Sequence, residues 1–263
     1  MNKRTLEHSL LALVLSLALA AGAVARPAPN PQQSMGEKQP TVYTYVALFG
    51  VPRANWAEYE KSDQKSHKLY GSLVADGTLV AWGAASVEVH EGREAPTHAS
   101  WMSATSIGSI LKALNSFMTN SPVESDINYT MHADQLLMST NYGFKPGAPP
   151  SKYLLVQDWK PKAGQEEAMN DLLKKYRKAD LEALLSDGSI NGYSFNTEAI
   201  HTASPGWVSL VVEFPSAESI DKFYDQIQTL HDKDPLYPQV FSSVIDSAEH
   251  RDHLLKVLDS GRK

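Results

Sequence analysis

Cysteine is absent from all 263 residues. That excludes disulfides, thiolate metal sites, iron–sulfur clusters and a cysteine nucleophile. It also excludes a lipid-modified cysteine behind a leader. Apolar burial has to hold a chain of this length together. Basic clusters are missing as well. The chain has 24 Lys and Arg against 30 Asp and Glu, a net charge of −6. Phosphate binding needs clustered Lys and Arg, so no nucleic-acid partner is expected. The sequence has no G-x-S-x-G, no H-E-x-x-H, no P-loop and no G-x-G-x-x-G after a strand. Serine-hydrolase and nucleotide-binding chemistry therefore lack their usual signatures.

Only one long apolar run is present, at residues 10–19, behind Lys3 and Arg4 and ahead of Ala23-Val24-Ala25. A membrane-spanning helix needs about 20 apolar residues. This shorter run ends in small residues suited to signal peptidase, so residues 1–25 read as a signal peptide cleaved before Arg26. The expectation is a periplasmic or secreted protein, with no membrane association after cleavage. Residues 26–41, rich in Pro, Gln and Asn, read as a disordered linker. Residues 141–151 hold Gly143, Pro146, Gly147, Pro149 and Pro150 and read as a linker between domains.

The stretches on either side of that linker, 42–140 and 152–258, match each other. The run from Tyr43 leading to Pro52 resembles the run from Tyr153 leading to Pro161. Both are aromatic and β-branched, hence strands. Helices are predicted over 56–75 and 165–186. Both end in Asp-Gly, at Asp76-Gly77 and Asp187-Gly188, where glycine can take the left-handed conformation that stops a helix. Strands are predicted over 78–90 and 189–201, then 97–102 and 207–214. Ile107, Ile110, Leu111 and Leu114 repeat as Ile220, Phe223, Tyr224 and Ile227, one helical face in each case, with Ser103 and Ser216 as N-caps. His132-Ala-Asp134 recurs as His250-Arg-Asp252.

Each stretch reads β-α-β-β-α-β, the ferredoxin-like order. Such a sheet carries helices on one face only, and its other face needs a cover. The fold class is therefore α+β: two tandem ferredoxin-like units with sheets face to face in a pseudo-dimeric α/β barrel. With this element order and duplication, the sequence resembles the dimeric α/β-barrel superfamily over residues 42–258. The resemblance implies an interior or cleft that often holds a small aromatic or haem-like ligand. Members include metal-free monooxygenases, haem-degrading enzymes, haem peroxidases, isomerases and proteins without known chemistry.

Candidate site residues come from the second strand of each unit. Strict alternation sets Leu79, Ala81, Val87 and Val89 under the helices and Trp82, Ser86, Glu88 and His90 toward the interior. Tyr193 and His201 match Trp82 and His90. Glu88 and His90 are candidate catalytic groups, since a carboxylate beside a histidine orients its ring and favours the imidazolium. Trp82, Ser86, Tyr193 and His201 are candidate ligand contacts. Histidine there could move a proton or ligate haem iron, although a histidine at a strand end more often caps the backbone or faces solvent. The two His-x-Asp pairs read as exposed ion pairs, since two ligands are too few for a metal. His67 and His98 read as solvated.

Two functions stay open. One is a small enzyme, monooxygenase-like or isomerase-like, acting on an aromatic or haem-like compound. The other is a non-catalytic periplasmic binding or structural module. No cofactor is indicated. Because the second unit covers the first, a monomer is expected. Any chemistry is expected in the first unit, where Glu88 accompanies His90, while the second has Ala199.

Overall fold

The computed structural model describes residues 39–89, 95–120, 127–200 and 206–263. The expected signal segment, most of the first linker, His90 and His201 lie outside the described residues. Residues Gln39–Lys263 form one unit. Its first half runs β1 (Val42–Gly50), α1 (Trp56–Ala75), β2 (Ala81–Val87), β3 (His98–Ala104), α2 (Ile107–Asn120) and β4 (Met131–Phe144). Its second half runs β5 (Tyr153–Pro161), α3 (Glu166–Tyr176), α4 (Lys178–Asp187), β6 (Gly192–Ile200), β7 (Val208–Phe214), α5 (Ala217–Lys233), α6 (Tyr237–Val244) and β8 (Ile245–Arg262). Among the described residues no helix is long and apolar enough to cross a membrane.

Hydrogen bonding orders the strands β4-β1-β3-β2 in one half and β8-β5-β7-β6 in the other. Antiparallel pairs β2 with β8 and β4 with β6 join the two sheets into a closed eight-stranded barrel. Closure leaves no sheet edge to pair with other chains. It also divides side chains between an interior and a helix side. An apolar cluster built from β1, β2, β3, β5 and β8 alone fills part of the interior, including Leu48, Ala85, Val87, Trp101, Leu154 and Leu255. Clusters that include helix residues lie on the other side, one in the second half and two in the first.

Repeated local chemistry ends the first helical segment of each half. Gly77 and Gly188 both have φ +81°. Asp76 and Asp187 each accept the backbone N–H two residues on, at 2.8 Å, from Thr78 and Ser189. The expected helix at 165–186 is two helices, divided at Arg177. The break turns the Arg177 guanidinium inward, where it donates to Gln157 at 3.4 Å, while Met169, Leu173, Leu181 and Leu184 stay buried. Ser103 is not an N-cap. It lies in β3 with its hydroxyl 2.8 Å from that of Thr44, and Ser106 takes the capping role by accepting the Ser109 N–H at 3.1 Å. Strand β4 runs on to Phe144, inside the expected linker, because the first proline of that stretch comes only at Pro146.

The expected faces of β2 are reversed. Leu79 precedes the strand, and its N–H bonds to Leu73 at the end of α1. Counting alternation from Leu79 therefore slips by one residue, which exchanges the two faces. Trp82 and Ser86 lie on the helix side and Val87 faces the interior. Tyr193 is likewise on the helix side, where its hydroxyl donates to Glu182 of α4.

Two features of this architecture can be measured. A Cβ on Gly83 would sit 2.1 Å from the Trp101 ring, whereas one on Gly71, within α1, would meet nothing within 4 Å. Gly83→Ala should cost about 1–3 kcal/mol, and Gly71→Ala should gain roughly 0.5–1 kcal/mol, both read from urea unfolding.

The second concerns His67, which ties α1 to β8 across the seam. Its Nε2 lies 2.9 Å from Asp63 and its Nδ1 2.7 Å from Asp259. Burial opposes the imidazolium, but hydrogen bonds and charge from Asp63 and Asp259 outweigh it and raise the pKa above 6.5. The stabilisation is then fully present below about pH 6.5 and is lost as pH rises through the raised native value. The stability gap between wild type and His67→Gln should be widest in acid and narrow as pH rises.

Candidate functional site in the first half

Helices α1 and α3 start 110 residues apart, at Trp56 and Glu166, as do β3 and β7, at His98 and Val208, and the strand registers pair Phe49 with His98 and Trp159 with Val208 at the same offset. That offset exposes a difference between the two helix-side layers. In the second half Leu155, Met169, Leu173 and Val208 are buried in one continuous apolar core. The corresponding first-half residues are Tyr45, Tyr59, Asp63 and His98. An apolar layer in one half is thus an aromatic and ionisable layer in the other.

His98 lies at the start of β3, opposite Ser86 of β2, and is fully buried. Helix α1 covers it. The imidazole centroid lies 4.6 Å from the Tyr59 ring and 5.0 Å from the Trp56 ring. Its Nδ1 lies 3.0 Å from the Thr97 hydroxyl, and its Nε2 faces Glu60 at 3.6 Å. A Thr97 hydroxyl that donates to Nδ1 leaves the ring proton on Nε2, the nitrogen turned to the carboxylate. Glu60 is partly exposed, so this pair reaches from the buried layer to solvent.

Tyr59 packs against Phe49 at 5.6 Å, and Tyr129 closes on both rings at 5.3 and 6.2 Å. Burial, reinforced by Asp63, Tyr129 and Tyr70, pushes the Tyr59 hydroxyl far above its ordinary range. It therefore stays protonated as a hydrogen-bond donor. Arg53 lies over the Trp56 ring at 3.9 Å, and the Trp56 indole donates to the Val51 carbonyl at 2.9 Å. Further along α1, His67 and Tyr70 pack on Trp82 at 4.8 and 5.5 Å. Tyr45 is also pushed up, by burial and then by its hydrogen bond to Asp134.

Of the residues singled out in the sequence, Trp82 and Ser86 enter this layer, on the side opposite to that expected. Glu88 lies beyond the end of β2, exposed, with its backbone N–H bonded to Leu254 at 2.8 Å. Tyr193 belongs to the second half's core. His90 and His201 lie outside the described residues. The two His-x-Asp pairs form ion pairs of 3.1 and 3.0 Å, with His132 stacked on Phe49 and His250 on Trp159. Among the described residues no group of three metal-ligating side chains comes together. His67 and His98 are not solvated as expected: His67, on α1, packs against Trp82 and bonds to Asp63 and Asp259, and His98 is covered by α1. Sequence reading missed His98 as a buried group because burial comes from packing α1 over β3. The alignment of the halves could have found it, since Val208 marks that position as core.

No protein-family profile and no curated protein matches the sequence. Solved structures do resemble the fold. A protein provisionally assigned as a monooxygenase from Lactobacillus acidophilus superposes with a TM-score of 0.63 at 13% identity, covering 84% of this chain and 96% of its own. A second provisionally assigned monooxygenase, from Fusobacterium nucleatum, gives 0.59 at 12%, covering 86% and 96%. An anthrone oxidase-like protein gives 0.52 at 12%, covering 86% and 94%. At such identity the likeness is one of fold. With two β-α-β-β-α-β halves closed into one barrel, the chain has the dimeric α/β-barrel fold, its pseudo-dimer contained in a single polypeptide.

Proposed function

We propose that this is an exported, monomeric protein that binds a small flat aromatic compound in the helix-side layer of its first half. There His98 and Tyr59 serve it by proton transfer and hydrogen bonding. One observation carries the reading. A fully buried histidine, enclosed by Trp56 and Tyr59 and facing Glu60, occupies the position where the second half has buried valine. Packing alone is served by valine there, and burying an imidazole costs free energy that function can offset.

Aromatic walls with few convergent polar groups suit a planar ligand. Nε2 of His98, with Glu60 to take up charge, can exchange a proton with an acidic C–H or hydroxyl of such a ligand. Tyr59, kept protonated, can donate to an oxygen that gains negative charge. Solved neighbours named for monooxygenase and anthrone oxidase activity accord with this class of compound. A haem-like ligand would use the same aromatic surface, with His98 as the candidate iron ligand.

Anthrone and hemin serve as probes. Anthrone should quench tryptophan fluorescence saturably, through Trp56 and Trp82. His98→Val should weaken binding at least about tenfold, roughly 1.4 kcal/mol, while Tyr193→Phe leaves it unchanged. Oxygen consumption with anthrone, slowed by Tyr59→Phe, would mark an enzyme. Binding without consumption would mark the non-catalytic binding module instead. Equal affinity in wild type and His98→Val would remove this site from consideration, and a Soret shift with hemin alone would move the ligand class to haem.

A further inference from the structure

The two seams that close the barrel are built alike. In each, the strand that completes one half carries an extra residue where it meets the other. Leu258 of β8 has no counterpart on β2, and Ser139 and Thr140 of β4 stand against Asn196 alone. Such a bulge re-aims the side chain beside it. That side chain is Asp259 in one seam, opposite Ala84, and Asn141 in the other, opposite Phe195. Ala84 and Phe195 each come two residues after the matched Trp82 and Tyr193, so Asp259 and Asn141 hold equivalent positions.

Their surroundings differ. Asp259 is met from α1 by His67, whose Nδ1 lies 2.7 Å from the carboxylate. The residue 110 positions after His67 is Arg177, where the helical segment divides into α3 and α4. Its guanidinium is turned to Gln157 and the Phe223 ring. Asn141 therefore lacks the helix partner that Asp259 has. It is buried, and its Nδ2 has no hydrogen-bond partner among the described residues. A cavity of about 160 Å³ lies there instead. Asn141 and Phe195 form its buried floor, Met138 stands at its rim, and Asn170 and Lys174, one turn apart on α3, form a wall. No carboxylate lines it. Asp171 lies 3.7 Å from Lys174, but both side chains are exposed and such a pair holds weakly.

We infer that this cavity binds a small carboxylate with a short apolar body. A buried amide without a partner is costly, and a bound acceptor relieves that cost. The amide is nearly isosteric end for end, so a half-turn about χ2 can bring its NH2 group round to the ligand. The carboxylate would accept from Asn141 and sit near the Lys174 ammonium, with its alkyl chain on Phe195 and Met138. A cavity of roughly 150 Å³ holds a molecule the size of benzene, which sets the ligand at about six heavy atoms. Water could satisfy the amide but would make no use of the apolar floor or the lysine. The site lies on the second half and stands independently of the aromatic layer.

Butyrate, butyramide and butylamine share a chain and differ in head group, so they serve as probes. The purified protein is titrated by calorimetry and by the Asn141 side-chain amide resonances. Butyrate should bind saturably and shift those resonances, butyramide should bind more weakly, and butylamine should do neither. Asn141→Asp sets a negative charge against the carboxylate and should lower butyrate affinity at least about tenfold. Lys174→Gln, an exposed change that spares the fold, should lower it about threefold, while Lys178→Gln, outside the cavity, should leave it unchanged. The lysine pair carries the test if Asn141→Asp fails to fold. Butylamine binding as tightly as butyrate would overturn the inference. So would the absence of saturable butyrate binding, the mark of a cavity that holds water only. Unchanged affinity in Lys174→Gln or in a folded Asn141→Asp, or an equal loss in Lys178→Gln, would overturn it as well.

Discussion

Two hydrogen-bonded seams, β2 against β8 and β4 against β6, decide everything else about this molecule. A ferredoxin-like sheet alone would expose one face to water. Joining two such sheets edge to edge closes the barrel, removes all edges and turns both bare faces into one interior. It also brings β8 of the second half beside α1 and β2 of the first, where Asp259 meets His67. The seam is not uniform. Between Ala84 and Ala85 the register with β8 shifts, and Leu258 has no partner opposite it. Such a bulge bends the strand and strengthens its twist, as closing a small barrel requires.

Closure gives each strand two environments, and the halves fill them differently. On the helix side, the second half is packed with Leu155, Met169, Leu173 and Val208, whereas the first carries Tyr45, Tyr59, Asp63 and His98. In the interior both halves supply apolar residues, Leu48, Ala85, Val87 and Ala99 from the first and Leu154, Val156 and Leu255 from the second, and the second adds Asp158, Ser209 and His253. The second half's helix-side core is the largest of the apolar clusters among the described residues. Ionisable groups occupy the complementary spaces, one outside the first sheet and one inside the second. Proteins that place polar groups in core positions lose stability there and need it elsewhere.

Much of this architecture is legible in the residues themselves. Aromatic and β-branched runs mark β1 and β5, and the spacing of Ile110 and Phe223 marks the buried face of α2 and α5. Asp-Gly stops α1 and α4 because only a residue tolerant of positive φ fits there. The His-x-Asp pairs are local, so their ion pairs follow from strand spacing alone. The candidate site is less legible. Counting alternation from Leu79 turned Trp82 and Ser86 inward, since a turn residue breaks the period without changing the composition. Helix α6 is not anticipated in the sequence reading, being only eight residues long; it packs Phe241 on Trp159.

The sequence by itself determined the β-α-β-β-α-β order of each half and the helix stops, because these depend on neighbours within a few residues. The tertiary structure alone decided which face of each strand is interior and which histidines are buried. His98 and Asp158 are ordinary strand residues until α1 packs over one and the barrel closes around the other. Burial and charge compensation are sums over groups brought together from distant parts of the chain, so no local pattern encodes them.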